Sequence, residues 1–230
     1  GVTIVENAAE GTDLVVSTTD YTLGANLENL QLGGTEAVAG TGNELNNKIT
    51  GSAGDNVLSG AGGDDTLDGG MGADTLAGGT GNDTYNVDNV EDMVIESAGE
   101  GIDTVASRLD YTLGTNLENL TLTGYAATSA TGNALDNVIT GSAIDNVIDG
   151  GAGADTMRGG AGDDIYYVDS LYDVVEEVAG ANEGNDTVAS TLNYTLGAEV
   201  ENLVLLGTAA LTGTGNSGAN QLVGNDGSNV

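Results

Sequence analysis

The chain contains no proline, cysteine, histidine, tryptophan or phenylalanine. Against 36 acidic residues it sets three cations, Lys48, Arg108 and Arg158, for a net charge of −33 over 230 residues. Each shortage excludes something. Without cysteine no disulfide staples the fold, and without cysteine or histidine no soft-metal site or Ser-His-Asp arrangement can be built. With three dispersed cations there is no basic patch to hold nucleic acid or an anionic membrane surface. No apolar run reaches the length of a membrane span, and no charged-then-apolar signal segment opens the chain. Adjacent acids such as Asp64–Asp65 and Glu176–Glu177 occur among so many others that they mark no acid/base pair, and the chain reads as non-catalytic.

What the chain does have is 39 glycines and a 39% share of apolar residues. High glycine and one-signed charge suit a disordered segment, but the apolar residues are ordered. From residue 42 the sequence runs in nines: GNELNNKIT (42–50), GSAGDNVLS (51–59), GAGGDDTLD (60–68), GGMGADTLA (69–77) and GGTGNDTYN (78–86). The sixth position holds Asn47, Asn56, Asp65, Asp74 and Asp83; the eighth holds Ile49, Leu58, Leu67, Leu76 and Tyr85. A second array covers 132–167 in four such units, and a third begins at Gly215. A longer period encloses them. "DYTLGANLENL" at 20–30 returns as "DYTLGTNLENL" at 110–120 and as "NYTLGAEVENL" at 193–203. Chain 1–230 therefore reads as one continuous repeat domain: spacer 1–41, repeats 42–86, spacer 87–131, repeats 132–167, spacer 168–214 and the start of a third array at 215–230. The spacers are expected to keep the nine-residue metre.

A fixed short period means a solenoid in which each unit covers its neighbour's apolar face. The glycines suit a tight turn, and the D-T-L-x stretch suits a short strand. One turn and one strand per nine residues make half a coil, so the expected fold is all-β, a parallel β-roll or β-solenoid of eighteen-residue coils whose spacers continue it. Like strands stack about 4.8 Å apart. The absence of proline fits, since proline breaks interior ladders. Tyr21, Tyr111 and Tyr194 are expected to pack between coils, the asparagines of "ENL" (Asn29, Asn119, Asn202) to serve in turns or ladders, and the three cations to be solvated.

In this geometry position six of one unit lies beneath position six of the next unit but one. Asp65 stacks under Asp83, Asp74 under Asp92 and Asp155 under Asp173. Carboxylates about 5 Å apart repel, and a sequence that aligns them requires a cation between them. An all-oxygen donor set of carboxylates and backbone carbonyls suits calcium.

The units resemble the glycine-rich nonapeptide GGxGxDxUx of the RTX, or haemolysin-type, calcium-binding repeats; 69–74, 78–83, 150–155 and 159–164 match GGxGxD without a mismatch. The resemblance implies calcium between stacked turns, held by carbonyls two and four of the lower turn, carbonyls one and three of the upper, and both position-six side chains. One site would join Ala61, Gly63 and Asp65 with Gly78, Thr80 and Asp83; another, Gly70, Gly72 and Asp74 with Val87, Asn89 and Asp92. In the second array Ser142, Ile144 and Asn146 would join Gly159, Ala161 and Asp164, and Gly151, Gly153 and Asp155 would join Val168, Ser170 and Asp173. Turns with Asn47, Asn56, Asn137 or Asn146, and with Leu45, Leu135 or Ile144 in place of glycine, are expected to bind weakly or not at all. For Asp13, Asp103 and Asp186 a plain turn and a ligand are equal readings.

The resemblance further implies type I secretion by a Gram-negative bacterium and an extracellular or cell-surface destination. Two functions remain open: a structural segment of an adhesin or surface-layer-like protein that folds on calcium after export, or the C-terminal folding and secretion module of a secreted enzyme such as a lipase, protease or polysaccharide epimerase. A carbohydrate-binding module is disfavoured by the few aromatics. Both ends read as cuts through a longer solenoid, so fraying near 1–10 and 224–230, or end-to-end self-association, is expected.

Overall fold

The computed structural model describes residues 4–8, 10–126, 128–177 and 184–230; residues 1–3 and 9 of the segment expected to fray lie outside these. Among the described residues every regular element is a strand, and every strand pair is parallel. The fold is a β-solenoid. The chain divides into two compact units, Gly1–Leu109 with Gly114–Leu117, and Asp110–Leu113 with Glu118–Val230.

In the first unit one sheet stacks Leu14–Ser17, Asn29–Leu32, Lys48–Thr50, Thr66–Asp68, Thr84–Val87 and Thr104–Ser107. The other stacks Tyr21–Thr22, Ala39–Thr41, Val57–Gly62, Thr75–Thr80 and Met93–Val94. The register follows the repeat: Ile49 lies beside Leu67 and Leu67 beside Tyr85, while Leu58 lies beside Leu76 on the opposite sheet. Successive nonapeptides thus alternate between sheets. Ile49, Leu58, Leu67, Leu76 and Tyr85 are all completely buried between them.

The second unit repeats the design. One stack comprises Asn119–Leu122, Val138–Thr140, Thr156–Arg158 and Val174–Val175. Another runs from Tyr111–Thr112 through Thr128–Thr131, Asn146–Asp149, Ile165–Val168, Thr187–Ser190 and Asn202–Leu205 to Gln221–Val223, and Tyr194–Thr195 pairs with Gly213–Thr214. Ile139, Ile148, Met157 and Tyr166 fill the position-eight column and are completely buried.

The spacers continue the ladders but do not keep the metre coil by coil. Within the arrays partners stand eighteen residues apart, as Lys48 and Thr66 do. In the spacers Thr84 pairs with Thr104, Ile165 with Thr187, Leu14 with Asn29 and Asn29 with Lys48. Those separations are twenty, twenty-two, fifteen and nineteen. Without a glycine turn to fix its length, each connection takes the length its own loop requires, and only the strand register is conserved. "YTLG" and "ENL" supply spacer core: Leu23, Leu27, Leu30 and Leu32 are buried, as are Leu113, Leu117, Leu120 and Leu122. Tyr21, Tyr111 and Tyr194 are half-buried and stand beside Gly40, Ala130 and Gly213 of the next coil.

The inward and outward faces of the strands should respond unequally to truncation. Leu67→Ala opens a cavity in a closed column and should cost about 2–5 kcal/mol, whereas Val57→Ala, at a 56% exposed position, should stay within about 0.5 kcal/mol. Urea unfolding in calcium compares them; equal losses would mean that the column is not the core.

Candidate metal-binding turns

Tight parallel stacking leaves the turn backbone with N–H groups that no strand can pair, and position six takes them. The backbone N–H of Asn47 donates to Oδ1 of Asp65 at 2.6 Å, that of Asp65 to Asp83 at 2.7 Å and that of Asp83 to Asp103 at 2.8 Å. On the other side Asn56 N–H donates to Asp74 and Asp74 N–H to Asp92. The second unit repeats this from Asn137 to Asp155, Asn146 to Asp164, Asp155 to Asp173 and Asp164 to Asp186. Each aspartate reaches down to the coil beneath, toward the N-terminus, and is nearly inaccessible: Asp65, Asp74, Asp83, Asp155 and Asp164 are at most 2% exposed.

That hydrogen bond occupies one carboxylate oxygen. The other, Oδ2 of Asp65, Asp74, Asp83, Asp155 and Asp164, is buried with no hydrogen-bond partner. Leaving a charged acceptor so is costly. Its surroundings are more oxygen. A Cβ placed on Gly60 would lie 2.0 Å from Asp65 Oδ2 and 2.6 Å from the carbonyl of Gly78 in the coil above, so the first glycine of the unit is there because two facing oxygens fill its side-chain space. The carbonyls of Ala61 and Gly63 rise into the same gap, 2.3 and 2.1 Å from where Cβ atoms of Gly79 and Gly81 would stand. Ala61 itself takes φ 82°, the left-handed conformation that glycine adopts in the other units.

The four ligand sets read from the sequence are placed unequally. In the first set Asp65 Oδ2 faces the Gly78 carbonyl, the Asp65 N–H donates to Asp83, and the carbonyls of Ala61 and Gly63 stand against Gly79 and Gly81 of the coil above, while the Thr80 carbonyl accepts the Gly63 N–H at 2.8 Å. In the set of Ser142, Ile144 and Asn146 with Gly159, Ala161 and Asp164, the carbonyls of Gly159 and Ser142 enter the gap, but Asn146 Oδ1 already accepts the Ser142 N–H at 2.6 Å. In the other two sets the upper turn departs. Val87 and Val168 end buried strands, and their carbonyls accept the N–H groups of Arg108 and Thr191 in the coil above, which turns them away from Gly70 and Gly151. Asp92 Oδ2 accepts the Asn89 N–H, Asp173 Oδ2 accepts the Ser170 N–H, and the Asn89 side-chain amide donates to the carbonyl of Gly72.

The asparagines show what the gap demands. Asn47 Nδ2 donates to the carbonyls of Leu27 and Glu28 in the coil below, Asn56 Nδ2 to that of Val38, Asn137 Nδ2 to Glu118 and Asn146 Nδ2 to Thr128. Their Oδ1 atoms accept position-two N–H groups from Asn43, Ser52, Asn133 and Ser142. An amide is satisfied on both sides where a carboxylate is not. The expectation that the asparagine turns hold metal weakly thereby gains a physical reason: the oxygen they would offer a cation already accepts an N–H of its own turn.

Two further ladders escaped the sequence reading. Position five points outward and up: Asn46, Asp55, Asp64 and Asn82 accept N–H groups from Asp64, Ala73, Asn82 and Ile102 of the coil above. In the spacers the glutamate of "ENL" replaces the position-six aspartate, with Glu28 and Glu201 accepting the N–H groups of Asp13 and Asp186. The asparagines of the same motif are ladder residues, Asn29 and Asn202 donating to the carbonyls of Asp13 and Asp186. The spacing of the nonapeptides signalled the first ladder; nothing in one spacer signalled the second. Arg158, expected to be solvated, pairs with Glu176 at 2.6 Å on the surface.

Stacked glycine turns lined with buried, unpaired oxygens define a parallel β-solenoid whose turns fit hard cations. The comparisons agree. The family model of the RTX calcium-binding nonapeptide repeat matches in four copies, at residues 41–76, 50–85, 131–166 and 214–230, and the chain carries these repeats. It is also 52% identical over 44 residues to the endo-1,3-1,4-beta-glycanase ExsH of Rhizobium meliloti (strain 1021), a stretch that covers 19% of this chain and 9% of that protein.

The same burial sets a pH dependence. Burial, countered in part by the backbone hydrogen bond, pushes Asp65 and Asp164 up to about 7 and Asp74, Asp83 and Asp155 up to about 6, from an ordinary 3.8. Without a cation the folded chain therefore holds protons more tightly than the unfolded chain. Its stability is greatest below about 3.8 and falls as pH climbs through the interval from about 4 to 7. In chelator, far-ultraviolet circular dichroism should show β-structure at acid pH that is lost toward neutrality. β-structure that grows with pH would reverse the assignment.

Proposed function

We propose that the chain is a calcium-dependent structural segment of a secreted or cell-surface bacterial protein, one that folds when calcium enters its turns after export. The observation that carries this is the column of buried carboxylate oxygens without partners, the one on Asp65 facing the Gly78 carbonyl across the space of Gly60. Calcium would sit between them, held best by Ala61, Gly63, Asp65, Gly78 and Asp83, and more weakly in the turns closed by Asn89 and Ser170. In low calcium the −33 charge and the uncompensated carboxylates keep the chain extended, a state suited to type I export. Outside, binding and folding share one free energy. The work proposed is mechanical: a stiff spacer of an adhesin or surface-layer-like protein.

The likeness to a glycanase favours a second reading, a folding and secretion module joined to a catalytic domain. In either case the segment is the metal-responsive scaffold and the catalysis, if the parent has any, lies elsewhere.

Two measurements test this. Millimolar calcium, and not magnesium, should convert coil to β-structure at neutral pH; equal β-content in chelator sinks the proposal. Asp65→Asn keeps an oxygen for the Asn47 N–H and turns an amide toward the Gly78 carbonyl. It should raise stability in chelator by about 1–3 kcal/mol while lowering the calcium bound. A variant that loses stability in chelator would show that the gap is not an unmet demand for a donor.

A further inference from the structure

Each array ends, on the side of its last turn, in a group of acids that reaches beyond the family match. In the first unit one oxygen from each of Asp83, Glu96 and Asp103 lies within 4.8 Å of the others. In the second unit Asp164, Glu177 and Asp186 make the same group. Asp83 and Asp164 close the last nonapeptide; the other four are spacer residues beyond the matched segments, which end at 85 and 166. Nothing in the nonapeptide pattern calls for Glu96 or Glu177.

Acidic groups are common, and these are set apart by what surrounds them and by burial, of all three acids in the first unit and of Asp164 and Asp186 beside a half-buried Glu177 in the second. Glu96 is 7% exposed, deep for a glutamate, and neither of its carboxylate oxygens has a hydrogen-bond partner. Oδ2 of Asp83, 1% exposed, has none either. A tyrosine closes the pocket. Tyr85 and Tyr166 are the tyrosines at position eight, each in the last unit of its array, and each phenol oxygen accepts the N–H of that unit's first glycine, Gly78 at 2.7 Å and Gly159 at 2.6 Å. A Cβ on Gly78 would meet Asp83 Oδ2 at 1.9 Å and Tyr85 Oη at 2.3 Å, so carboxylate and phenol share one small space. In the second unit the phenol proton goes to Glu177. Burial, then Asp103, pushes the Glu96 carboxyl up to about 8.

We infer that Asp83, Glu96 and Asp103, and likewise Asp164, Glu177 and Asp186, form a second kind of cation site that terminates each array, with a phenol oxygen at its edge. Three carboxylates whose oxygens span less than 4.8 Å can close around one ion at 2.3–2.6 Å, the contact distance of calcium. Their charge suits calcium or a lanthanide better than a monovalent ion, and the absence of nitrogen and sulfur ligands excludes softer metals. Here the spacer glutamate supplies from outside the repeat a carboxylate that no nonapeptide turn contains. The two copies, one per long period, arise from different loop sequences, "VIESAGEGID" and "VEEVAGANEGND". The inference does not depend on calcium in the nonapeptide turns themselves.

Calcium titration calorimetry and terbium luminescence excited through tyrosine test it on the whole chain, which has no tryptophan to compete as sensitiser. Glu96→Gln with Glu177→Gln should lower the calcium stoichiometry by one ion for each cluster altered. Unchanged stoichiometry would mean that the pocket merely shares protons, and would overturn the inference while leaving the nonapeptide reading intact. Tyr85→Phe with Tyr166→Phe reads the pocket without altering its charge. It should cut sensitised terbium emission well beyond the loss from Tyr125→Phe, at a fully exposed position, and equal losses would likewise overturn the inference. A wild-type chain that neither folds nor takes up calcium would instead defeat the function proposed above.

Discussion

The structure depends on a confrontation between oxygens. Stacking nonapeptide turns in parallel places a position-six oxygen opposite a carbonyl of the coil above, at a spot so close that the intervening residue must be glycine. Two facing acceptors, buried from water, are held only if something positive or donating lies between them. Three things can: a backbone N–H, a proton or a metal ion. The chain uses the first at Asn47, Asn56, Asn137 and Asn146, whose amide oxygens accept the position-two N–H of their own turn, the raised acid constants of Asp65 and Asp164 report the pull of the second, and the all-oxygen lining fits the third. The glycines and the lack of proline follow from bringing backbone this close.

The same constraint explains where the arrays start and stop. A unit whose lower neighbour is a spacer carries asparagine, because the coil beneath has a ladder of carbonyls but no glycine turn to share a cation. From the third unit of each array onward the residue is aspartate. At the far end the departing spacer closes one column with the Asn89 amide, or with a local turn at Ser170, and the other with a buried tyrosine beside a glutamate. The spacers between hold their coils with leucine layers and with Glu28, Glu201, Asn29 and Asn202 on backbone groups.

Much of this could be read from the residues, because a nine-residue period is a spatial statement once strands are known to stack. Position eight as core, position six above position six, and the alternation of sheets all follow from spacing alone. Less was legible where side chains replace spacing. Val87 and Val168 occupy position one by count, but a strand carried through them turns their carbonyls upward, and no counting rule reports the direction of a carbonyl. Tyr85 and Tyr166 read as core residues and are core residues; that a hydroxyl at the end of a buried ring reaches the N–H of its own unit's first glycine needs coordinates. Glu96 and Glu177 sit at unremarkable places in loops of unequal length, and their convergence with the last aspartate is a tertiary fact.

Charge alone would overstate the need for calcium. Asp55, Asp64, Asp145 and Asp163 stand one residue before the aligned position and stack just as regularly, yet they point outward, remain exposed, and each accepts an N–H from the coil above. Water screens them and their second oxygen is free to be solvated, so their repulsion is mild and salt-dependent. Moving a carboxylate by one residue along the turn thus changes a surface staple into a group that must be neutralised. The chain places both kinds side by side in "GGDD" at 62–65, and only the inner one buries an oxygen with no partner. In the proposed function it is this small buried subset, and not the acid excess as a whole, that ties folding to a cation.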